Sequence, residues 1–286
     1  MKKLMIAASA ALCATVGFSD VTSANIVGYH NQDWMPASFV MMGGQFEGVD
    51  GSSIKLGQIN FGENFDGPYY GDGPDEYKLT APQVQLAFAD SEGNTQYFFV
   101  HDAIPVDPDA EETDYLPGWL DKFGDPADPD VLLGLGYWFC DAFNATRAVN
   151  NAGGVLLDSP WDKDFNRTFR MLVCPYPKAV KLSEINFVDI DNNATYYGDG
   201  PDEYKLTATQ IQIPFATSEG FTTYYYLADG VPENPDDEDT DYLPGWVDKF
   251  GDPVDTDEIV VPAGRGCWFC PSPNYPNEKM KVIFSL

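Results

Sequence analysis

The sequence predicts an all-β protein built from two tandem copies of a small β-sandwich or barrel-like unit. Three observations predict this fold class: a long internal repeat, polar–apolar alternation at the period of a β-strand, and many aromatic residues with frequent glycine and proline. After the N-terminal segment, no stretch keeps an apolar 3.6-residue period for three turns. We therefore expect any helix to be short.

The N-terminal segment has the layout of a secretory signal peptide. Lys2 and Lys3 precede an apolar stretch at 4–18, and small residues before Asn25 provide a cleavage site. The apolar stretch is shorter than the ~20 residues that a membrane-spanning helix needs. The sequence predicts a signal peptide at residues 1–24, a mature protein that is secreted or held at the cell surface, and no membrane insertion.

The internal repeat defines two units. Residues 69–81 (YYGDGPDEYKLTA) recur unchanged at 196–208, and the alignment continues without a gap to Pro126 and Pro253. Of these 58 aligned positions 40 are identical, which is far beyond chance and indicates a tandem duplication. We expect the first β repeat unit at residues 25–150 and the second at residues 151–286.

Each unit carries the pattern of a β-hairpin. Residues 83–88 (QVQLAF) and 210–215 (QIQIPF) alternate polar and apolar side chains, as half-buried strands do. A Ser-Glu-Gly turn follows in both units, and an aromatic stretch then returns. We also predict strands through 136–140 (GYWFC) and 266–270 (GCWFC), and short helices near 54–59 and 181–185.

One segment in the middle of the chain has two roles in this fold. Residues 146–157 must close the first unit and open the second, whereas at the chain ends these roles are split between 26–30 and 281–286. Each end is then a candidate edge strand with unpaired backbone groups. Pairing of these ends between molecules would give head-to-tail self-assembly. The alternative is that each end pairs within its own unit.

The charge of the chain restricts its partners. The formal net charge is −29, with 45 acidic residues against 16 lysines and arginines. Such a protein repels nucleic acids and anionic membranes and attracts cations. We therefore expect no nucleic-acid partner.

Acidic residues recur in the predicted loops of both units and are candidates for calcium sites. The first candidate set is Asp72, Asp75 and Glu76, repeated as Asp199, Asp202 and Glu203. A second acidic loop contains Asp109, Glu111, Glu112 and Asp114, repeated as Asp236, Glu238, Asp239 and Asp241. Calcium takes six to eight oxygens from carboxylates and turn carbonyls, although the spacing here is not that of an EF-hand. The sequence predicts one calcium ion per unit, and solvated acidic turns are the alternative.

Two tryptophans lie beside these acidic loops. Trp119 and Trp246 each end the motif YLPGW. Exposed aromatic rings next to carboxylates suit sugar binding, because rings stack on apolar sugar faces while carboxylates accept hydrogen bonds from the sugar hydroxyl groups. The alternative is that both tryptophans hold a loop against the core.

The sequence assigns no catalytic residue. Only His30 and His101 are present, the second unit has Ala228 in place of His101, and no nucleophile motif accompanies either histidine. Carboxylates are numerous enough for a two-acid glycosidase, but they are concentrated in loops where we expect them to be solvated.

Four cysteines follow the signal peptide: Cys140, Cys174, Cys267 and Cys270. An even number in an exported chain suggests disulfides. Cys267 and Cys270 continue an aromatic strand, where residues three apart point to opposite faces, so they are not a redox pair. Cys174 and Cys267 have no counterpart in the first unit, and we predict a disulfide between them.

The opening NIVGY (25–29) and the glycine turn that leads into an aromatic strand at 136–139 support a resemblance to known sequences. The chain resembles a loosely defined, largely uncharacterised group of secreted β-repeat proteins from planctomycete- and verrucomicrobia-type bacteria. The resemblance implies an exported, β-rich protein and carries over no site residue.

Three classes of function remain open after these exclusions. The first, which we favour, is a non-enzymatic structural or assembly protein of the cell surface or extracellular matrix, with other copies of itself as partners. The second is a calcium-dependent glycan-binding module that recognises cell-surface glycans. The third is a secreted, carboxylate-based glycoside hydrolase.

Overall fold

The computed structural model describes residues 27–33, 39–48, 50–61, 65, 67–70, 74–88, 93–107, 109, 114–141, 148–156, 160–166, 169–197, 201–215, 220–233, 241–273 and 279–285. In this part of the chain antiparallel strands dominate, so the prediction of a mainly β protein is confirmed. Its helices are too short to cross a membrane. The signal peptide predicted at residues 1–24 lies outside the described residues.

The first half of the chain contains one five-stranded antiparallel sheet and two small two-stranded sheets. The strand order in the large sheet is β2-β8-β4-β5-β6, and the small sheets pair β1 with β9 and β3 with β7. The strands are β1 (Val27–Asp33), β2 (Val40–Gly43), β3 (Ile54–Lys55), β4 (Gln83–Ala87), β5 (Asn94–Pro105), β6 (Tyr115–Asp121), β7 (Asp130–Val131), β8 (Gly136–Cys140) and β9 (Ala148–Gly154).

The second half repeats this order strand for strand in its large sheet. That sheet runs β11-β18-β14-β15-β16, beside a three-stranded sheet β10-β19-β13 and the pair β12-β17. The strands are β10 (Trp161–Asn166), β11 (Arg170–Val173), β12 (Val180–Lys181), β13 (Asn186–Phe187), β14 (Thr209–Pro214), β15 (Phe221–Pro232), β16 (Tyr242–Val247), β17 (Val260–Val261), β18 (Gly266–Cys270) and β19 (Lys279–Phe284).

The predicted hairpins are confirmed. β4 pairs with β5 and β14 pairs with β15, both antiparallel, and β8 and β18 are the predicted aromatic strands. Gly93 and Gly220 precede the returning strands with φ of 105° and 113°. This backbone region favours glycine because a side chain would clash there.

All of these sheets are open. Each large sheet runs from one edge strand to another, and no sheet closes on itself among the described strands. The barrel-like form of the predicted unit is therefore wrong. In the second half, Ile211 and Phe269 of the large sheet share one core cluster with Phe187 and Val282 of the three-stranded sheet. Two sheets whose inner faces fill one core are packed face to face.

The ends of the chain pair differently from the expectation of exposed edge strands. β1 pairs with β9, and β19 lies between β10 and β13. The C-terminal strand is therefore not an edge, and the structure has the arrangement in which each end pairs within its own half. The segment 146–157 also lacks the predicted double role, because β9 closes the first half and a separate strand, β10, opens the second. The expected boundary at 150 falls inside β9.

Two short helices replace loops that the sequence suggested. Helices α1 (Pro74–Thr80) and α2 (Pro201–Thr207) have the same sequence, PDEYKLT. Proline suits the first helical position, and acidic residues in the first turn complement the helix dipole. Tyr77 and Tyr204 anchor the helices in the interior, where both are fully buried. The helices predicted near 54–59 and 181–185 are found as 3-10 turns at Leu56–Gln58 and Leu182–Glu184.

The two halves contact each other through equivalent residues. Met42 bridges to Arg265, and Leu135 bridges to Leu172, both in antiparallel fashion. Leu172 is the equivalent of Met42, and Arg265 is the equivalent of Leu135, because the members of each pair are 130 positions apart. Exchanging the two halves therefore converts one bridge into the other. Reciprocal contacts of this kind are those of a two-fold, self-complementary interface.

Glycines let the two halves approach closely. A Cβ added to Gly136 would lie 2.8 Å from the Met171 Cβ, and one added to Gly266 would lie 2.8 Å from the Met41 Sδ. These two contacts are equivalent, because Gly266 lies 130 positions after Gly136 and Met171 lies 130 positions after Met41. The buried Gln45 adds a polar contact, since its Nε2 donates to the Tyr176 carbonyl at 2.9 Å. The two halves are therefore packed against each other rather than joined only through a linker.

Candidate functional site

A groove of about 510 Å³ lies at the far edge of the second large sheet, against β15 and β16. This edge is opposite β11 and β18, which contact the first half of the chain. Phe221, at the far end of β15 from the groove, also contacts the first half, at Trp138. The size is within the range of small-ligand clefts. The lining residues are Tyr197, Leu227, Asp229, Gly230, Pro232, Tyr242, Gly251, Asp252 and Pro253.

Tyr197 forms one wall of the groove and is held in place by three neighbours. Its backbone N–H donates to Asp229 Oδ1 at 2.7 Å. Its ring lies 5.4 Å from the buried ring of Tyr204 on α2. A Cβ on Gly251 would lie 2.5 Å from the Tyr197 ring, and Gly251 has φ of 91°. Glycine is therefore required here for both space and backbone conformation.

Tyr242 lies at the other side of the groove. It begins the edge strand β16, opposite Pro232, and its side chain is 58% exposed. Pro244, two residues later, has no backbone N–H to offer to another strand, a common protection of edge strands. The Tyr242 ring is thus an exposed part of the groove lining on a strand that is protected from pairing at Pro244.

The polar groups of the groove are acidic. Asp229 and Asp252 contribute carboxylates, and the described residues that line the groove include no lysine, arginine or histidine. The Asp252 backbone N–H donates to Asp248 Oδ1 at 3.0 Å, which fixes the turn that carries it. The site therefore offers aromatic rings together with hydrogen-bond acceptors.

The first half of the chain has the same set of residues 127 positions earlier. Only two lining positions differ, Val100 for Leu227 and Ala103 for Gly230. The supporting contacts also recur: the Tyr70 N–H donates to Asp102 Oδ1 at 2.5 Å, and Gly124 has φ of 92° beneath the Tyr70 ring. Tyr115 is 54% exposed, close to the value for Tyr242. The residues that shape the groove, and the contacts that support Tyr197, are thus present in both halves of the chain.

The predicted sugar-stacking tryptophans are buried. Trp119 and Trp246 are 4% and 6% exposed, so neither presents an open ring face at the surface. Trp246 packs against Phe187 and Tyr226, and Trp119 packs against Phe61 and Phe99, forming the wall of a cavity of about 390 Å³. The structure places both tryptophans in the core clusters, as the alternative to ligand binding expects.

The calcium prediction falls largely outside the described residues. Asp72 and Asp199 lie there, as do most residues of the second acidic loop. For Asp75, Glu76, Asp202 and Glu203 the structure describes only the backbone, which is helical rather than looped. No group of three or more His, Cys, Asp or Glu side chains is arranged for a metal ion among the described residues. The calcium sites remain a prediction.

The disulfide predicted between Cys174 and Cys267 is not formed in the structure, where both thiols are free and buried. Leu172 pairs with Cys267, so Cys174 lies one diagonal step from Cys267 on the same face. Diagonal neighbours are about 7–8 Å apart, beyond the usual span of a disulfide. Burial raises the pKa of the Cys174 thiol to about 11 and also raises the pKa of Cys267.

One feature of the sequence could have identified the groove residues. Asp102 and Asp229 are identical within a stretch that otherwise diverges, FVHDAIP against YLADGVP, as are the prolines that follow them. The structure explains this identity, because each aspartate holds the backbone of a groove tyrosine. No protein-family model, curated protein or solved structure matches the chain.

Proposed function

We propose that the protein is a secreted, non-enzymatic glycan-binding protein with one binding groove in each of two tandem β-sandwich units. The single observation that carries this proposal is the recurrence of the groove residues: Tyr197, Tyr242, Asp229 and Asp252 have identical counterparts, and the hydrogen bond that supports Tyr197 recurs at Tyr70. Core packing does not require an exposed tyrosine to recur at the same edge position.

The chemistry of the groove fits a neutral sugar. A sugar ring has apolar C–H faces that pack on an aromatic side chain and hydroxyl groups that donate to carboxylates. Tyr197 and Tyr242 supply the rings, and Asp229 and Asp252 supply the acceptors. Acidic polysaccharides fit poorly because the protein itself carries a net charge of −29.

This proposal differs from the class that the sequence alone favours. Self-assembly through the chain ends requires a free C-terminal strand, whereas β19 is paired on both sides. The proposal also does not require calcium, because the carboxylates contact the sugar directly. Binding in the presence of a chelator is therefore expected.

The test is binding of the mature protein to immobilised hydroxyethylcellulose, galactomannan, dextran and an acidic control, polygalacturonate. We expect at least one neutral polysaccharide to bind and polygalacturonate not to bind. The double variant Tyr115→Ala/Tyr242→Ala should lose binding, since the exposed aromatic wall is removed in each half of the chain. The matched control is Phe88→Ala/Phe215→Ala, which removes two similarly exposed rings. These rings follow β4 and β14 and lie near Gly93 and Gly220, away from Tyr115 and Tyr242.

The proposal is wrong if no neutral polysaccharide binds, or if the tyrosine and phenylalanine double variants bind equally well. Preferential binding of a basic peptide such as polylysine would indicate that the carboxylates recognise charge rather than hydroxyl groups. Melting curves of both variants establish that a loss of binding does not come from unfolding.

A further inference from the structure

We propose that the two grooves bind separate polysaccharide chains, so that one protein molecule cross-links them. This inference rests on the proposed glycan-binding function and adds what the protein does with its ligand. It follows from the position of each groove in its sheet and from the contact between the halves.

The groove residues of each half lie at the edge of the large sheet that is farther from the interface strands. In each large sheet the strand that carries the groove tyrosine, β6 or β16, is three strands away from the interface strand, β8 or β18. At about 4.8 Å per strand, the strand with the groove tyrosine is roughly 14 Å from the interface strand. The contact of β15 with Trp138 is at Phe221, at the end of the strand opposite Pro232 and the groove. A short oligosaccharide therefore cannot occupy both grooves at once.

The interface fixes this separation. The reciprocal bridges of Met42 with Arg265 and of Leu135 with Leu172 join the halves by backbone contacts. Leu135, from the first half, is also part of the buried core of the second half. Because the halves share a core, the grooves cannot fold towards each other to enclose one chain segment.

Two equivalent sites that face away from each other produce a network when the ligand is a polymer with many binding sites. The same arrangement gives avidity on a coated surface, where both grooves find ligand. A protein with a single intact groove would bind without either effect. These consequences separate cross-linking from simple binding.

The experiment uses the neutral polysaccharide from the binding panel that the mature protein binds best. Wild type, Tyr115→Ala, Tyr242→Ala and the double variant are mixed with it over a range of ratios, and light scattering is recorded. Wild type should increase the light scattering roughly tenfold or more, with a maximum at an intermediate ratio of protein to polysaccharide. It should dissociate from a polysaccharide-coated surface about 10²-fold more slowly than either single variant. Each single variant should bind without raising the scattering.

Three results would contradict parts of this account, and they are distinguishable. If wild type binds but never raises scattering, cross-linking is wrong while glycan binding stands. If either single variant cross-links as well as wild type, the two grooves are not the two binding sites. If no polysaccharide of the panel binds to wild type, the proposed function fails, and cross-linking fails with it.

Discussion

Trp138 and Trp268 occupy equivalent positions in the two halves of the chain and face each other, with ring centroids 6.0 Å apart. A residue that contacts its own equivalent lies close to an axis of pseudo-two-fold symmetry. The bridges of Met42 with Arg265 and of Leu135 with Leu172 fit the same axis.

The glycines at this axis should be sensitive to substitution. A Cβ on Gly43 would overlap the Val173 side chain, and Val173 stands 130 positions after Gly43, at the equivalent place in the second half. We expect Gly43→Ala to lower the free energy of unfolding by about 1–3 kcal/mol, because a packed interior tolerates extra volume poorly. Urea denaturation measures the change.

A second substitution tests whether the overlap is the cause. Val173→Ala creates space opposite Gly43, so the double variant should be more stable than the sum of the two single effects predicts. A coupling energy of about 1 kcal/mol is expected for residues in contact. Strict additivity would contradict the close approach of the two halves.

The hydrogen bond from the Tyr226 hydroxyl to the Asp191 carboxylate should stabilise the second half. Tyr226→Phe removes the donor, and we expect a loss of about 1–2 kcal/mol in the free energy of unfolding. The natural control is the first half, which has Phe99 at the equivalent position. Phe99→Tyr should bring no comparable gain, since the described neighbours of the Phe99 ring are the rings of Phe65 and Trp119.

The same hydrogen bond predicts a dependence on alkaline pH. Burial raises the pKa of Tyr226, and the Asp191 carboxylate raises it further, above the ordinary value of 10.0. When folding raises the pKa of a group, the protonated group stabilises the folded protein, and it does so fully at any pH below its pKa in the unfolded chain. This stabilisation is lost as the pH rises towards the pKa of the group in the folded protein. The difference in melting temperature between wild type and Tyr226→Phe should therefore shrink above pH 10. A constant difference would show that the hydroxyl does not titrate this way.

Cys174 and Cys267 should be slow to react in the native protein. Both are buried, and a pKa of about 11 for Cys174 leaves little reactive thiolate at pH 8. Iodoacetamide should label them on the time scale of unfolding, and peptide mapping without reductant should find them unlinked. A peptide pair joined through these two cysteines would instead establish the disulfide that the sequence suggests.

The calcium sites predicted from the acidic segments have their own consequence. If Asp72, Asp75 and Glu76 and their repeats bind calcium in the folded protein alone, calcium should raise the melting temperature. A hundredfold excess over the dissociation constant corresponds to about 2.7 kcal/mol. Magnesium should do less, because it demands a tighter octahedron. Equal shifts from calcium, magnesium and sodium chloride of matched ionic strength would indicate charge screening only.

The parts of the fold that the sequence predicts well are those governed by local pattern. The hairpin from β4 to β5 follows from alternation and a glycine turn, which act within a few residues. The helices α1 and α2 are missed because seven residues are too few for a periodic pattern. Their cue is instead Pro74 and Pro201 at the first helical position, with a lysine in the last turn.

The parts that the sequence does not predict depend on contacts between distant segments. The placement of β19 between β10 and β13 is decided by the core that Phe187 and Val282 share, and no local signal reports it. The burial of Trp119 and the exposure of Tyr115 have the same origin, since both lie on β6 with a spacing that places them on one face, and only the part of the strand at Trp119 is covered by the core. The groove therefore emerges from the fold rather than from a motif.

The most direct test of the account is the number of binding sites, measured by isothermal titration calorimetry. The ligand is a short oligosaccharide cut from the neutral polysaccharide that the mature protein binds. We predict two equivalent sites per wild-type chain, one in Tyr115→Ala, one in Tyr242→Ala and none in the double variant, with all four proteins folded. A stoichiometry of one in wild type, or of two in either single variant, would contradict the claim that the duplicated grooves are the binding sites.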